Sequence, residues 1–276
     1  MKYKLIATDM DGTLNNDNFE ISEKNKEAVR KALEAGLKVV LCSGRSPVSL
    51  HGYEEGLGLN TEGQYGIGFN GSTVYETWTK NILFGENIHK NLVKKIVVKI
   101  KEIDTSVKLA LYLKGDYMLA ETGLEDILTD YNTDNSVKID YFKEITPKKI
   151  NTNAINIYVI EQRPKLDKIY KALENEDLTG CTMAFTQKHL LEFMPQTMNK
   201  AEGLSKLCEY LKIPLEEVVT VGDNYNDIEM IQAAGLGVAV ANAVQALKDS
   251  ADYVTKNDNN NNAFAELIDL ILSESL

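Results

Sequence analysis

Four scarcities narrow the function of this 276-residue chain before any motif is read. Cysteine occurs three times, as Cys42, Cys181 and Cys208, widely spaced and flanked by apolar residues. No CxxC pair exists, which excludes a zinc ribbon and a disulfide framework and leaves core filling in a reducing compartment. Histidine is as rare. His51, His89 and His189 are scattered and none adjoins a cluster of carboxylates, so a histidine-held metal centre is not expected. No apolar run approaches the roughly 20 residues of a membrane span. The run after Met1-Lys2-Tyr3-Lys4 stops at Asp9, short of the roughly 7–15 apolar residues of a signal peptide. Positive charge is also short, with 30 Lys and Arg against 41 Asp and Glu and a formal charge of −11. A field of that sign repels nucleic acid and anionic lipid, so neither partner is expected and the chain reads as soluble and cytoplasmic. An anionic ligand would need a local reversal of the field, from a bound cation or from placed Lys and Arg.

What is present fills two domains: 43% apolar and 26% charged residues over this length are an ordinary globular balance. Short runs apolar on both faces, Leu5–Thr8, Leu37–Cys42, Val218–Val221 and Val238–Val240, alternate with amphipathic helical stretches. Ser22 caps one such helix, Gly36 stops it, and another runs over Ala201–Leu211. That pattern predicts a parallel sheet covered on both faces, a Rossmann-like α/β core. The middle of the chain differs. A helix over Ile88–Ile103 precedes a hairpin turning at Lys114-Gly115-Asp116, strands over Val137–Phe142 and Ala154–Glu161, and a closing hairpin of Cys181–Gln187 with His189–Met194. The expectation is an α+β domain at residues 85–189 inserted into a core of residues 1–84 and 190–276. Asn257–Asn262 reads as a solvated turn.

Three polar clusters stand at predicted strand ends: Asp9-Met10-Asp11-Gly12-Thr13, Ser43-Gly44-Arg45 and Gly222-Asp223-Asn224-Tyr225-Asn226-Asp227. Each alone is ordinary turn and cap chemistry. Together they could converge on one crevice, because open α/β sheets bind ligands outside the carboxyl ends of their strands. Asp9, Asp11, Asp223 and Asp227 gathered there repel one another, so some are protonated or a cation neutralises them. Oxygen-only ligands favour a hard ion, and Mg²⁺ fits best. Backbone N–H groups of Met10 and Gly44, with the Ser43 hydroxyl, are donors suited to a phosphate. Lys200, at the start of a helix, reads on position alone as a solvated surface lysine. Beside the other clusters that reading weakens, and contrary to it Lys200→Ala is expected to weaken turnover without comparable loss of stability.

The first cluster, continued through Leu14, resembles motif one of the haloacid dehalogenase-like phosphatases. Ser43-Gly44-Arg45 resembles motif two, Lys200 motif three, and the Gly222–Asp227 stretch motif four. The inserted middle domain, with Asn199-Lys200-Ala201-Glu202-Gly203 and Ala241-Asn242-Ala243, is similar to the Cof-type branch with the larger αβ cap. The resemblance implies an Mg²⁺-dependent phosphatase for small phosphorylated metabolites, sugar phosphates foremost, with a cap domain that sets specificity. It makes Asp9 the nucleophile and Asp11 the acid and base. The metal falls to the Asp9 carboxylate, the Asp11 carbonyl and Asp223, and the phosphoryl oxygens to Met10, Ser43, Gly44, Lys200 and Asn226. Asp227 would orient Lys200 or a metal-bound water. Where the family often has Gly before the last helix, this chain has Asn261-Asn262, and Asn tolerates positive φ.

Two signals point elsewhere and are set aside. Gly66-Ile67-Gly68-Phe69-Asn70-Gly71 matches a dinucleotide-binding string, but Ser72–Trp78 after it alternates like a strand rather than opening a helix. His189 could reach substrate, although a surface or hinge role fits it better. A phosphomutase on the same scaffold and a non-catalytic metabolite-binding protein stay open, since motifs alone do not separate them. Cap-loop charges at Lys114, Asp116, Lys143, Lys148 and Lys149 read equally as a solvated face.

Overall fold

The computed structural model describes residues 2–113, 117–131 and 137–276. The chain divides into two compact units, residues 1–85 with 198–276, and residues 86–197.

The first unit opens with β1 (Leu5–Thr8), α1 (Glu23–Glu34), β2 (Lys38–Cys42) and α2 (Pro47–Gly56), then β3 (Tyr65–Gly68), β4 (Thr73–Glu76) and β5 (Ile82–Gly85). The second unit holds α3 (Lys90–Ile103), β6 (Lys108–Leu113), β7 (Tyr117–Glu121), α4 (Glu125–Tyr131) and β8 (Lys138–Phe142). It continues through β9 (Ala154–Ile160), α5 (Arg163–Leu173), β10 (Cys181–Gln187) and β11 (Leu190–Pro195). The chain returns with α6 (Lys200–Leu211), β12 (Val218–Gly222), α7 (Ile228–Ala233) and β13 (Leu236–Ala239), and ends in α8 (Gln245–Lys248), β14 (Tyr253–Val254) and α9 (Ala263–Leu272).

The first unit's sheet runs β14-β13-β12-β1-β2-β3-β4-β5, parallel as far as β3 and antiparallel beyond it. Alternate residues of its strands feed two cores. Ile6, Leu41 and Val221 pack with Val29 of α1 and Phe264 and Leu267 of α9. Leu5, Val40 and Cys42 pack with Leu204 and Leu207 of α6 and Met230 of α7. Apolar residues on both strand faces therefore cover both sides of a parallel sheet, each fully buried large side chain contributing about 1.5–3 kcal/mol. All three cysteines are free and buried.

In the second unit the sheet runs β10-β11-β9-β6-β7-β8, antiparallel except for the β7–β8 pair. Val93, Ile96 and Ile100 of α3 and Leu166 and Ile169 of α5 share one core with Leu111, Ile157 and Phe193. Because β11 pairs with both β9 and β10, this unit extends to Thr197, past the return at residue 190 that the sequence led us to place. β6 and β7 form the expected antiparallel pair. Lys114, Gly115 and Asp116 lie outside the described residues. Lys143 and Lys148 are exposed, and the Lys149 ammonium lies 3.6 Å from the centroid of the Phe142 ring.

The Asn-rich stretch departs from a simple solvated turn. Asn259 is buried, and its amide donates to the Asn15 carbonyl at 3.1 Å and to Asp17 at 3.0 Å. Asn262 adopts φ 68°, the left-handed conformation expected of it, at the entry to α9. No described helix is long and apolar enough to cross a membrane.

Candidate active site

Strand order creates the site. From β1 the chain builds outward through β2 and β3 on one side, while β12, β13 and β14 lie on the other, so the order switches beside β1. The registers Thr8↔Val221 and Thr8↔Leu41 then bring the residues following three strands to one edge: Asp9, Ser43 and Asp223. The dinucleotide-like string ends β3 at Gly68 and passes through one short 3₁₀ turn, Phe69–Gly71, into β4 without opening an α-helix, as its context implied.

The helix that carries Lys200 is set against this edge by two glycines. Asn199 caps α6, accepting from the Glu202 N–H at 2.8 Å. A Cβ on Gly71, where φ is +97°, would lie 1.9 Å from the Asn199 carbonyl oxygen, and one on Gly203 would lie 2.7 Å from the Gly71 Cα. Only without those side chains can the first turn of α6 press onto the β3–β4 turn.

Lys200 is consequently fully buried, contrary to its surface reading from position. Its ammonium donates to Asp9 and, at 2.6 Å, to Asp227 Oδ1. Burial alone would favour the neutral amine, but the Asp227 and Asp9 carboxylates raise the lysine pKa above its ordinary value. The other Asp227 oxygen accepts from the Asp223 and Asn224 N–H groups at 3.0 Å each. Asp227 is thereby committed to protein donors on both oxygens.

Asp9, Asp223 and Asp227 present oxygens within 4.8 Å of one another, the one cluster among the described residues that could hold a metal ion. It contains no His or Cys, and His89 instead caps α3. Burial raises the Asp9 pKa well above the usual carboxylate range, Lys200 opposes this, and the charges of Asp227 and Asp223 add to it. Burial and then the Asp227 charge push Asp223 up to about 6, against the hydrogen bond it accepts from Thr13 Oγ1 at 3.0 Å. Cys42 adjoins the cluster, but burial pushes its thiol up to about 12, in keeping with core filling.

The raised Asp223 gives a pH prediction. Between pH 3.8 and about 6 the native chain keeps a proton that the unfolded chain has released, so this group's contribution to metal-free stability falls as pH rises through that window. In melts with EDTA, the wild-type Tm is therefore expected to fall relative to Asp223→Asn over that range. A constant difference between the two would refute the shift.

The remaining residues split. Ser43 is buried, and its Oγ accepts from the Arg45 N–H at 3.1 Å. Met10 is buried, and the Gly44 Cα faces the Asn70 amide so closely that a Cβ would lie 3.2 Å from it. Asn226 Nδ2 donates to Asn70 Oδ1 at 3.0 Å. Asp11 stands outside the carboxylate cluster, with its side chain paired to Arg45. Asn70, Thr13, Asn15 and the Asp11 partnership of Arg45 were not singled out from the sequence. For Asn70 a signal existed, since it follows the carboxyl end of β3 on the same sheet edge.

A Rossmann-like sheet with an inserted second unit and aspartates after β1 and β12 matches the architecture of the haloacid dehalogenase-like hydrolases. The family's model matches residues 6–268, and the chain belongs to that family. A 5-amino-6-(5-phospho-D-ribitylamino)uracil phosphatase of Bacillus subtilis strain 168, YcsE, is 32% identical over 252 residues, covering 91% of this chain and 89% of the relative. A second from the same organism, YwtE, is 29% identical with 98% of each chain covered. Among solved structures, a haloacid dehalogenase-like hydrolase from Bacteroides thetaiotaomicron superposes with a TM-score of 0.87 at 28% identity, covering 98% and 99% of the two chains. Within its family the protein is a phosphatase, as its Cof-type resemblance implied.

Proposed function

We propose that the protein is a cytoplasmic, Mg²⁺-dependent phosphatase of small phosphorylated metabolites, sugar phosphates foremost, working through an aspartyl-phosphate. The observation that carries this reading is the buried Asp9–Lys200–Asp227 array beside Asp223 at the sheet's switch point. An Asp9 oxygen attacks phosphorus in line, the bond to the leaving oxygen breaks, and Asp11 gives that oxygen a proton. Water then attacks the phosphorus and passes a proton to Asp11, which releases inorganic phosphate and restores Asp9. Lys200, the Ser43 hydroxyl, the Met10 and Gly44 N–H groups and Asn226 hold the phosphoryl oxygens as charge shifts among them. Asp227 orients Lys200.

The donor set fits a hard divalent cation. The ligands are oxygens only, and the lysine is paired with Asp9 and Asp227, so Asp223 makes no ion pair among the described residues. Because Asp227 is committed to protein donors, the Asp9 and Asp223 carboxylates with the Asp11 carbonyl are the holders we assign. Bound there, Mg²⁺ would offset the repulsion between a carboxylate nucleophile and an anionic ester. The second unit is assigned the reading of the rest of the substrate.

The deciding experiment is phosphate release from a panel of sugar phosphates, nucleotides, pyridoxal phosphate and flavin mononucleotide, with Mg²⁺ and with EDTA. Release is expected with Mg²⁺ and is expected to fall to background in EDTA. A folded, Mg²⁺-binding protein that releases no phosphate would turn the reading toward a mutase or a non-catalytic sensor.

A further inference from the structure

Asp11 is not free to do what the proposed reaction asks of it. One guanidinium takes both of its carboxylate oxygens, Arg45 Nε donating to Oδ2 and Nη2 to Oδ1, each at 2.7 Å. Asn15 Nδ2 adds a donor to Oδ1 at 3.3 Å. A carboxyl that protonates a leaving oxygen must present an O–H, while a guanidinium fork offers only N–H groups to the same two oxygens. The pair has to open before Asp11 can give or take a proton.

Arg45 is placed so that it can open. Both partners are partly exposed, at 27% for the Arg45 side chain and 39% for that of Asp11, so solvent and an incoming anion can reach the pair, and a phosphoryl group offers the fork a bidentate partner of the same kind. The guanidinium carbon lies 5.7 Å from the Phe19 ring centroid and 5.3 Å from that of Tyr53. Tyr53 Oη donates to the Phe19 carbonyl at 3.3 Å, which ties the two aromatic residues together. Phe19 is itself exposed and held at φ 60°, a conformation that a bulky residue rarely adopts. Ring faces attract the cation whichever anion its edge meets, so they keep the charge in place without fixing its partner. The buried cation of the site, Lys200, is already shared by Asp9 and Asp227.

We propose that Arg45 is a substrate-binding and positioning residue that exchanges partners. Its fork leaves the Asp11 carboxylate for a phosphoryl oxyanion of the incoming ester, and that exchange frees Asp11 for proton transfer. Guanidinium geometry matches phosphoryl oxygens as well as it matches a carboxylate. Arrival of the anion thus switches on the acid, and water entering an empty site meets an Asp11 that is still engaged. The inference rests on the phosphatase reading of the same site.

The test uses the full chain with Mg²⁺, p-nitrophenyl phosphate as substrate and inorganic phosphate as inhibitor. Arg45→Ala is expected to raise both the KM and the phosphate Ki by about 10- to 100-fold, the scale of losing charge-assisted hydrogen bonds. Arg45→Lys keeps the charge without the fork and is expected to recover only part of either. If Arg45→Ala is folded and both constants stay within about twofold of wild type, the exchange is wrong and Arg45 only clamps Asp11. A crystal structure of the wild type with a bound phosphate mimic reads the same point without any variant. Arg45 is expected on the anion, and a fork still seated on Asp11 with the anion bound would overturn the proposal. Failure of the underlying reading looks different, because wild-type protein would then release no phosphate from any ester.

Discussion

Replacing Asp9 by Asn is expected to cut phosphate release by on the order of 10⁴-fold or more while leaving the fold in place, because loss of a catalytic nucleophile removes the covalent route altogether. An amide of the same shape cannot attack phosphorus at a useful rate, yet its oxygen can still accept from the Lys200 ammonium. Stability should hold for a second reason. Burial already makes a charged Asp9 costly, as its raised pKa records, so removing that charge relieves a penalty while Lys200 keeps Asp227 as its counter-ion. The net change in unfolding free energy is expected within about 1 kcal/mol, typical of a polar swap that leaves no partner stranded. Phosphate release and a thermal melt on one preparation check both halves. An Asp9→Asn protein with appreciable activity would remove Asp9 from the role of nucleophile.

The elements that carry Asp9, Ser43, Asp223 and Lys200 were legible because each is announced locally. Both-face apolar runs mark β1, β2 and β12, and caps such as Ser22 and Asn199 are followed by clear helical stripes. The parallel order followed from the same runs, and so did convergence of the polar clusters at the strand ends. What was not legible is partnership across long separations. Arg45 and Asp11 are 34 residues apart, Asn226 and Asn70 are 156 apart, and Asn259 finds Asn15 from 244 away. Composition around such residues says only that they are polar. α2 was missed for a different reason. Its sequence PVSLHGYEEG has two glycines and no clean apolar stripe, so tertiary packing and the Ser46 cap, rather than pattern, hold it.

Lys200 is where position in the chain misleads most, and its removal makes the second large prediction. A lysine in the first turn of a helix faces solvent unless the helix start is itself buried, and here the glycines at 71 and 203 bury it. Lys200→Ala would strand two carboxylates, Asp9 and Asp227, that share this one ammonium. Removing one partner of a buried ion pair costs about 3–5 kcal/mol, so a clear fall in Tm near neutral pH is expected rather than the neutral outcome that a surface lysine would give. Turnover should fall as well, by about 10²–10³-fold, since one fixed charge that holds phosphoryl oxygens is lost. Lys200→Met separates charge from volume. It keeps much of the apolar stem and should be destabilised nearly as much if the stranded carboxylates dominate. Lowering the pH neutralises Asp9, whose pKa burial already raises, and should restore part of the lost stability. In an Asp227→Asn background only Asp9 is stranded, so the penalty of Lys200→Ala should shrink, and the cycle of the four proteins measures that coupling. A Lys200→Ala protein that melts with the wild type near pH 7 would show that the ammonium does not hold these carboxylates together, and the same result would weaken the assignment of Asp227 as the group that orients it.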